Sequence, residues 1–127
     1  MHRVAQHFES LTDDIIKEVT RSAYIINHDD QNILTTIRVN LMRSLPGVGL
    51  GVASALLTLY YPNLYGIIDF RTWDEIHEHD HGGRPITRTF TLSNYLYYLD
   101  TIRPFALEQN IDVQIVDFAL WKIWEQH

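Results

Sequence analysis

Hydrophobic residues recur at three- and four-residue steps along most of the chain, which is the spacing of amphipathic helices. The first such segment predicts a helix over 11–26, with Ser10 or Thr12 as its N-cap. The second predicts a helix over 31–44, which must end there because Pro46 disfavours helical backbone at the preceding residue. Polar turn residues separate the two segments.

The middle of the chain continues this pattern with less polar sequence. Residues 52–61 are almost wholly apolar and predict a buried helix that ends before Pro62. A short helix follows over 70–76, with Asp69 at the position where a side chain would cap its first turn. The stretch that joins these two helices is too short for more than a connector.

Two further helical segments complete the chain. Residues 92–109 are helical by pattern, although Pro104 should kink the helix or mark a restart. An apolar stripe that begins at Val113, behind Asp112, predicts a C-terminal helix. Because alternation typical of strands is nearly absent, we expect a single all-α domain, 1–127, of about six helices in a compact orthogonal bundle.

Composition and charge limit the kinds of site and of partner that the protein can have. The chain has 127 residues and no cysteine, which excludes disulfides, thiolate metal sites and cysteine nucleophiles. No apolar run reaches membrane-spanning length, and residues 1–9 lack the apolar core of a signal peptide, so a cytoplasmic protein without a membrane partner is expected. The net charge of -6 repels nucleic acid on average. However, 31–68 contains no Asp or Glu, which permits a polyanion to approach.

The segment Leu-Pro-Gly-Val-Gly at 45–49 carries the most specific signal. Proline followed by glycine predicts a type II turn, and Gly49 removes side-chain bulk where the next helix begins. The N–H groups of the loop and of the first helical turn could then bind a phosphate without basic side chains. An ordinary turn between two helices is the alternative. The residues expected to hold a phosphate are Leu45, Gly47, Val48, Gly49 and Gly51.

This loop, the small-residue helix after it and the sequence Ile67-Ile68-Asp69 form a recognisable combination. The segment 31–61 resembles the helix-hairpin-helix motif of the DNA glycosylase superfamily that includes endonuclease-III-like and adenine-DNA glycosylases. In that superfamily an essential Asp follows the motif, and Asp69 lies 20 positions after Gly49. The ending Asp-Phe-Ala-Leu-Trp at 117–121 is similar to that of short bacterial proteins of this group.

The resemblance implies a DNA partner and a mechanism without a cofactor. Asp69 would be the catalytic residue, stabilising the developing sugar cation or orienting a water after a nucleotide flips from the duplex. Members that also cut the strand carry a Lys where this chain has Gly51, so any activity would be hydrolytic and monofunctional. Arg38, Arg43 and Arg71 are candidate DNA contacts. The residue-level alternative for Asp69 is a plain N-cap, and the two roles are compatible.

Two other hypotheses stay open. His77, His79 and His81 alternate with carboxylates in a glycine-rich segment and are weak candidates for metal ligands, against the commoner case of a solvated loop. The second hypothesis is a non-catalytic member of the group that acts as a protein-interaction or accessory domain, or as a homodimer. The negative charge, the short length and the missing Lys favour it.

Overall fold

The computed structural model describes residues 2–77 and 89–126, with side chains from residue 13 onward. Within these ranges the chain forms six helices and no strand, which confirms the all-α class. The helices are α1 (His2–Ile25), α2 (Gln31–Arg43), α3 (Leu50–Tyr60), α4 (Phe70–Ile76), α5 (Leu92–Gln109) and α6 (Val113–Glu125).

The chain divides into two compact units, Met1–Val48 and Gly49–His127. The boundary falls inside the predicted hairpin 31–61, so α2 belongs to the first unit and α3 to the second. The hairpin and the single domain 1–127 therefore stay predictions. Each unit is described below by itself.

Three expectations about the helices were wrong. First, α1 begins at His2, and Ser10 and Thr12 lie inside it rather than capping it. The segment before residue 11 contains neither Pro nor Gly, so nothing in it stops a helix from extending. Second, Pro104 does not mark a restart, because α5 runs through it, while the kink expected as the other outcome stays a prediction. Burial on both sides of the proline outweighs the one hydrogen bond that its ring removes. Third, α3 is buried on one face only, and Leu59 is 72% exposed.

In the first unit, α1 and α2 pack against each other. Asp30 caps α2 by accepting hydrogen bonds from the N–H groups of Asn32 and Ile33, at 2.9 and 3.1 Å. Arg38 is only 5% exposed, and its guanidinium donates to the carbonyl oxygens of Ala23 (3.1 Å) and Ile26 (3.4 Å). These bonds satisfy the last carbonyls of α1, so Arg38 joins the two helices.

In the second unit, the connector between α3 and α4 runs through the core. Tyr65 and Ile68 are fully buried. The Tyr95 hydroxyl donates to the carbonyl oxygen of Gly66 at 2.9 Å. A Cβ at Gly66 would lie 3.0 Å from Cβ of Asp117, so only glycine lets the connector approach α6 this closely. The connector therefore has a fixed path that ends at Asp69.

Candidate functional site

The predicted turn is present at the end of the first unit. The N–H of Val48 donates to the carbonyl oxygen of Leu45 at 3.2 Å, and Gly47 has a φ of 78°. A positive φ at the third residue together with this hydrogen bond defines the type II turn. Leu45 is buried and Gly47 is exposed. The predicted phosphate-binding residues are thus divided, since Gly49 and Gly51 belong to the second unit.

The start of α3 has no side chain to cap it. Gly49 is the N-cap, and the first helical bond runs from the N–H of Ala53 to the carbonyl oxygen of Gly49, at 3.0 Å. The amides of residues 50–52 precede that bond, so they have no acceptor inside the helix. A Cβ at Gly49 would meet no atom of the described residues within 4 Å.

Ser54 fixes the connector against this end of α3. Its hydroxyl donates to the carbonyl oxygen of Gly51 at 2.7 Å and accepts from the N–H of Ile68 at 3.1 Å. Ser54 is fully buried, and the carbonyl oxygen of Ile68 lies 3.8 Å from where a Cβ of Gly51 would be, an ordinary packing distance. The small residues of α3 therefore bring the residue before Asp69 next to the start of the helix.

As a result, Asp69 and the start of α3 line one cavity of about 310 Å³, which we call the Asp69 cavity. It is formed by three short segments of the second unit, the beginning of α3, the beginning of α4 and the residues before α5. The lining residues are Gly49, Leu50, Gly51, Ile68, Asp69, Phe70, Thr89 and Phe90. The wall thus combines backbone amides, one carboxylate, one hydroxyl and two phenyl rings.

The Asp69 carboxylate is held in place and still partly accessible. Its Oδ1 accepts from the N–H groups of Arg71 (2.9 Å) and Thr72 (3.0 Å), which confirms the predicted N-cap. Its Oδ2 pairs with the Arg71 guanidinium at 3.3 Å, and the two side chains are 31% and 37% exposed. One oxygen therefore caps α4 while the other pairs with Arg71, and the side chain as a whole is partly exposed.

Arg71 is itself placed by aromatic rings. Its guanidinium carbon lies 4.9 Å from the ring centre of Phe70, 5.6 Å from Trp121 and 5.9 Å from Trp124. A guanidinium over aromatic faces is attracted by their quadrupoles, which limits its motion. This cation, one of the predicted DNA contacts, is paired with a carboxylate that lines the cavity.

Two buried polar residues beneath Asp69 were missed by the sequence analysis. Asp117 on α6 is 7% exposed and accepts a short hydrogen bond from the hydroxyl of Tyr98, which is fully buried. Burial, and to a smaller extent the nearby charge of Asp69, raises the pKa of Asp117 to about 6 in total, with hydrogen bonds from Tyr98 and from the N–H of Ile67 opposing part of the rise. A signal was present, because Asp117 falls within the apolar stripe that begins at Val113.

The remaining predicted residues are placed as follows. Arg43 is exposed at the end of α2, whereas the burial of Arg38 contradicts its assignment as a DNA contact.

His77 caps the end of α4, with Nδ1 2.8 Å from the Trp73 carbonyl oxygen and its ring 4.5 Å from the indole. His79 and His81 lie outside the described residues. Among the side chains that the structure describes, those of 13–77 and 89–126, no three His, Asp or Glu residues are grouped so as to hold a metal.

Comparison of the chain with protein-family models, with curated proteins and with solved structures gave no match. Among the residues that the structure describes, no helix is both long enough and apolar enough to span a bilayer. What the geometry defines is an all-α protein whose second unit carries a carboxylate and a helix start around one open cavity.

Proposed function

We propose that this protein is a cytoplasmic DNA-binding protein of the helix-hairpin-helix glycosylase type, in which the start of α3 holds a backbone phosphate and Asp69 acts on the adjacent nucleotide. One observation supports the proposal above all others. Gly49 and Asp69, which are 20 positions apart in the sequence, line the same cavity. Helical periodicity alone does not require this pairing, whereas the resemblance to the glycosylases does.

Gly49 supports the phosphate site because neither backbone conformation nor packing requires glycine there, and because Ser, Asp or Asn would serve at least as well in its third role, the N-cap of α3. Its φ of -91° is open to any residue, so backbone conformation does not require glycine there. Packing does not require glycine either, because a Cβ would point into space that no described atom occupies within 4 Å. A ligand that approaches the backbone closely does require the missing side chain. The helix dipole and the amides of residues 50–52, which have no acceptor inside α3, would then bind the phosphate together.

Asp69 supports the chemical part of the proposal. With Oδ1 fixed by the cap, Oδ2, which pairs with Arg71 on a side chain that is 31% exposed, would face a flipped nucleotide and stabilise positive charge on the sugar as the base departs. A water would add to the anomeric carbon as the bond to the base breaks, and the base would leave with a proton. Gly51 provides no amine for a Schiff base, so the strand would stay intact.

The test is a titration of labelled duplex DNA, with and without an abasic-site analogue, followed by fluorescence anisotropy. At about 50 mM salt the protein should bind, and binding should weaken steeply towards roughly 150 mM because phosphate contacts release counterions. The variant Gly49→Ala should bind about tenfold more weakly, since a methyl group would separate the phosphate from the amides.

The control for this titration is Leu107→Ala, because Leu107 is 84% exposed on α5 and does not line the Asp69 cavity. It should bind DNA like the unchanged protein. Leu107→Ala should retain the free energy of unfolding to within about 0.5 kcal/mol, whereas Gly49→Ala should lose about 1 kcal/mol because alanine is a poorer N-cap than glycine; urea unfolding of both variants checks that they are folded where affinity is read. Absence of binding by the unchanged protein at the lower salt concentration would contradict the proposal.

A separate observation favours the second candidate, a non-catalytic protein-interaction or accessory domain. An apolar groove of about 390 Å³ lies among α4, α5 and α6 of the second unit. Phe105 and Ile115, which line it, are each 52% exposed, and Ile123 is 48% exposed. Exposed apolar patches of this kind mark protein contacts, including contacts between identical copies. This candidate becomes the better one if the titration shows no DNA binding.

A further inference from the structure

Four aromatic side chains of the second unit pack together beside the Asp69 cavity, and we call them the aromatic cluster: Trp73, His77, Phe90 and Tyr97. The indole of Trp73 lies at its centre, with its ring centroid 4.5 Å from that of His77. The centroids of Phe90 and Tyr97 lie 5.6 and 5.9 Å from the same indole. Phe90 also lines the Asp69 cavity. The aromatic cluster therefore continues the cavity wall as far as α5.

Tyr97 is the most accessible member of the cluster and is supported from within it. It is 54% exposed, whereas the other three members are half-buried. Its ring stacks on the imidazole of His77, with the centroids 5.7 Å apart and the planes 27° apart. That imidazole is itself held in place, because Nδ1 lies 2.8 Å from the carbonyl oxygen of Trp73. The supported ring of Tyr97 thus forms a fixed aromatic platform at the surface.

The chemistry of this surface fits a nucleobase. Aromatic side chains bind unpaired bases by stacking, and they do so without sequence preference because every base has a π face. A tyrosine ring that already stacks on an imidazole offers its accessible surface to one more planar ring. The apolar groove among α4, α5 and α6 differs in this respect, since its lining is mostly aliphatic.

Carboxylates do not separate the aromatic cluster from the Asp69 cavity. Residues 89–99 contain no Asp or Glu, and Asp100 comes one turn after Tyr97. Helix α4 contains Asp74 and Glu75, but Asp74 is 6% exposed and accepts a hydrogen bond from an indole of α6. Glu75 lines the apolar groove. A strand that leaves the cavity along 89–99 therefore meets no carboxylate of this segment, which favours an anionic ligand.

We propose that the aromatic cluster binds an unpaired nucleobase, which stacks on Tyr97 and belongs to the same strand as the nucleotide that meets Asp69. The inference rests on the proposed function, because the Asp69 cavity holds that strand. It deepens the proposal by naming the form of DNA that the site prefers, which is a strand with unpaired bases. The phosphate contact at α3 gives affinity for any strand, whereas the aromatic cluster distinguishes a strand that presents its bases.

The test compares two labelled single strands of equal length by fluorescence anisotropy at about 50 mM salt. One is homothymidine, and the other carries an abasic-site analogue at every position, so the two have the same phosphates and differ only in their bases. Homothymidine should bind about tenfold more tightly, because only its bases can stack. Both strands should bind measurably, because both offer phosphates to α3.

Substitutions at Tyr97 assign this preference to the aromatic cluster. Tyr97→Leu should bind homothymidine about tenfold more weakly and the base-free strand unchanged, whereas Tyr97→Phe, which keeps the ring, should resemble the unchanged protein. Tyr60→Leu is the matched control, since Tyr60 is 45% exposed on α3 and belongs neither to the aromatic cluster nor to the lining of the Asp69 cavity. It should bind both strands like the unchanged protein.

The outcomes separate this inference from the proposed function. Equal affinity for the two strands, or a preference that survives in Tyr97→Leu, would overturn the inference and leave phosphate binding by α3 intact. Binding of homothymidine that depends on Tyr97, without binding of the base-free strand or of the duplex, would keep the stacking site and contradict the phosphate site. Absence of binding to either single strand would contradict both.

Discussion

The variant Asp117→Asn is expected to change how the free energy of unfolding depends on pH. Burial raises the pKa of Asp117 from 3.8 to about 6 in the folded protein. Between those values the folded state holds more of the proton than the unfolded state does, so stability falls as pH rises from about 4 to about 6 and is level above. A shift of about two pKa units corresponds to about 3 kcal/mol.

Measured by urea unfolding, the difference in free energy between the unchanged protein and Asp117→Asn should therefore change by about 2.4 kcal/mol from pH 4 to pH 7, in favour of the variant at the higher pH. The ionisable groups that act on Asp117 are Tyr98 and Tyr95 on α5 and Asp69 at the start of α4. Neither tyrosine ionises in this pH range.

A matched control for the pH series is Asp112→Asn. Asp112 is the exposed N-cap residue of the same helix and makes no side-chain cap hydrogen bond. It should follow the unchanged protein across the whole range. If Asp117→Asn and Asp112→Asn gave parallel curves of unfolding free energy against pH, Asp117 would not carry a raised pKa.

The second large effect is expected at Asp69 itself. Asn is as good an N-cap as Asp, so Asp69→Asn should keep the free energy of unfolding to within about 0.5 kcal/mol. Asp69→Ala should lose about 0.5–2 kcal/mol with the cap. Both variants should lower base release by at least about a hundredfold, because the charge that would stabilise the sugar cation is gone. The assay uses duplexes with single uracil, oxidised, alkylated or mismatched bases.

Asp30→Asn provides the control, since Asp30 caps α2 in the same way and belongs to the other unit. It should leave base release unchanged. Base release that survives in Asp69→Asn would reduce Asp69 to a structural cap. If the unchanged protein releases no base from any of these duplexes, the catalytic part of the proposal is wrong, and DNA binding is tested separately by the titration.

Local sequence features predicted much of this structure. The type II turn at Gly47, the end of α2 before Pro46 and the cap by Asp69 depend on a few adjacent residues, and all three are present. The start of α1 was missed because a cap-like Ser or Thr has no effect inside a segment that nothing interrupts. Local chemistry thus indicates where a helix must stop more reliably than where it must begin.

Part of the candidate site could be predicted from the sequence, and part could not. The resemblance assigned Asp69 and the loop to one site. The sequence also suggested that Arg38 is an exposed cation, whereas its guanidinium is bonded to carbonyl oxygens at the end of α1. The pairing of Tyr98 with Asp117 joins residues 19 apart on two helices, and no periodicity specifies it. Burial of polar residues is decided by tertiary packing, which a single sequence does not display.

The central claim is that the first amides of α3 and the Asp69 carboxylate together meet DNA. The most direct measurement is a ¹H–¹⁵N correlation spectrum of the protein titrated with a duplex that contains an abasic-site analogue, at about 50 mM salt. The account predicts that the largest shifts occur at the amides of Leu50, Gly51 and Val52 and at Asp69. Shifts confined to the apolar groove among α4, α5 and α6, or no shifts at all, would contradict it.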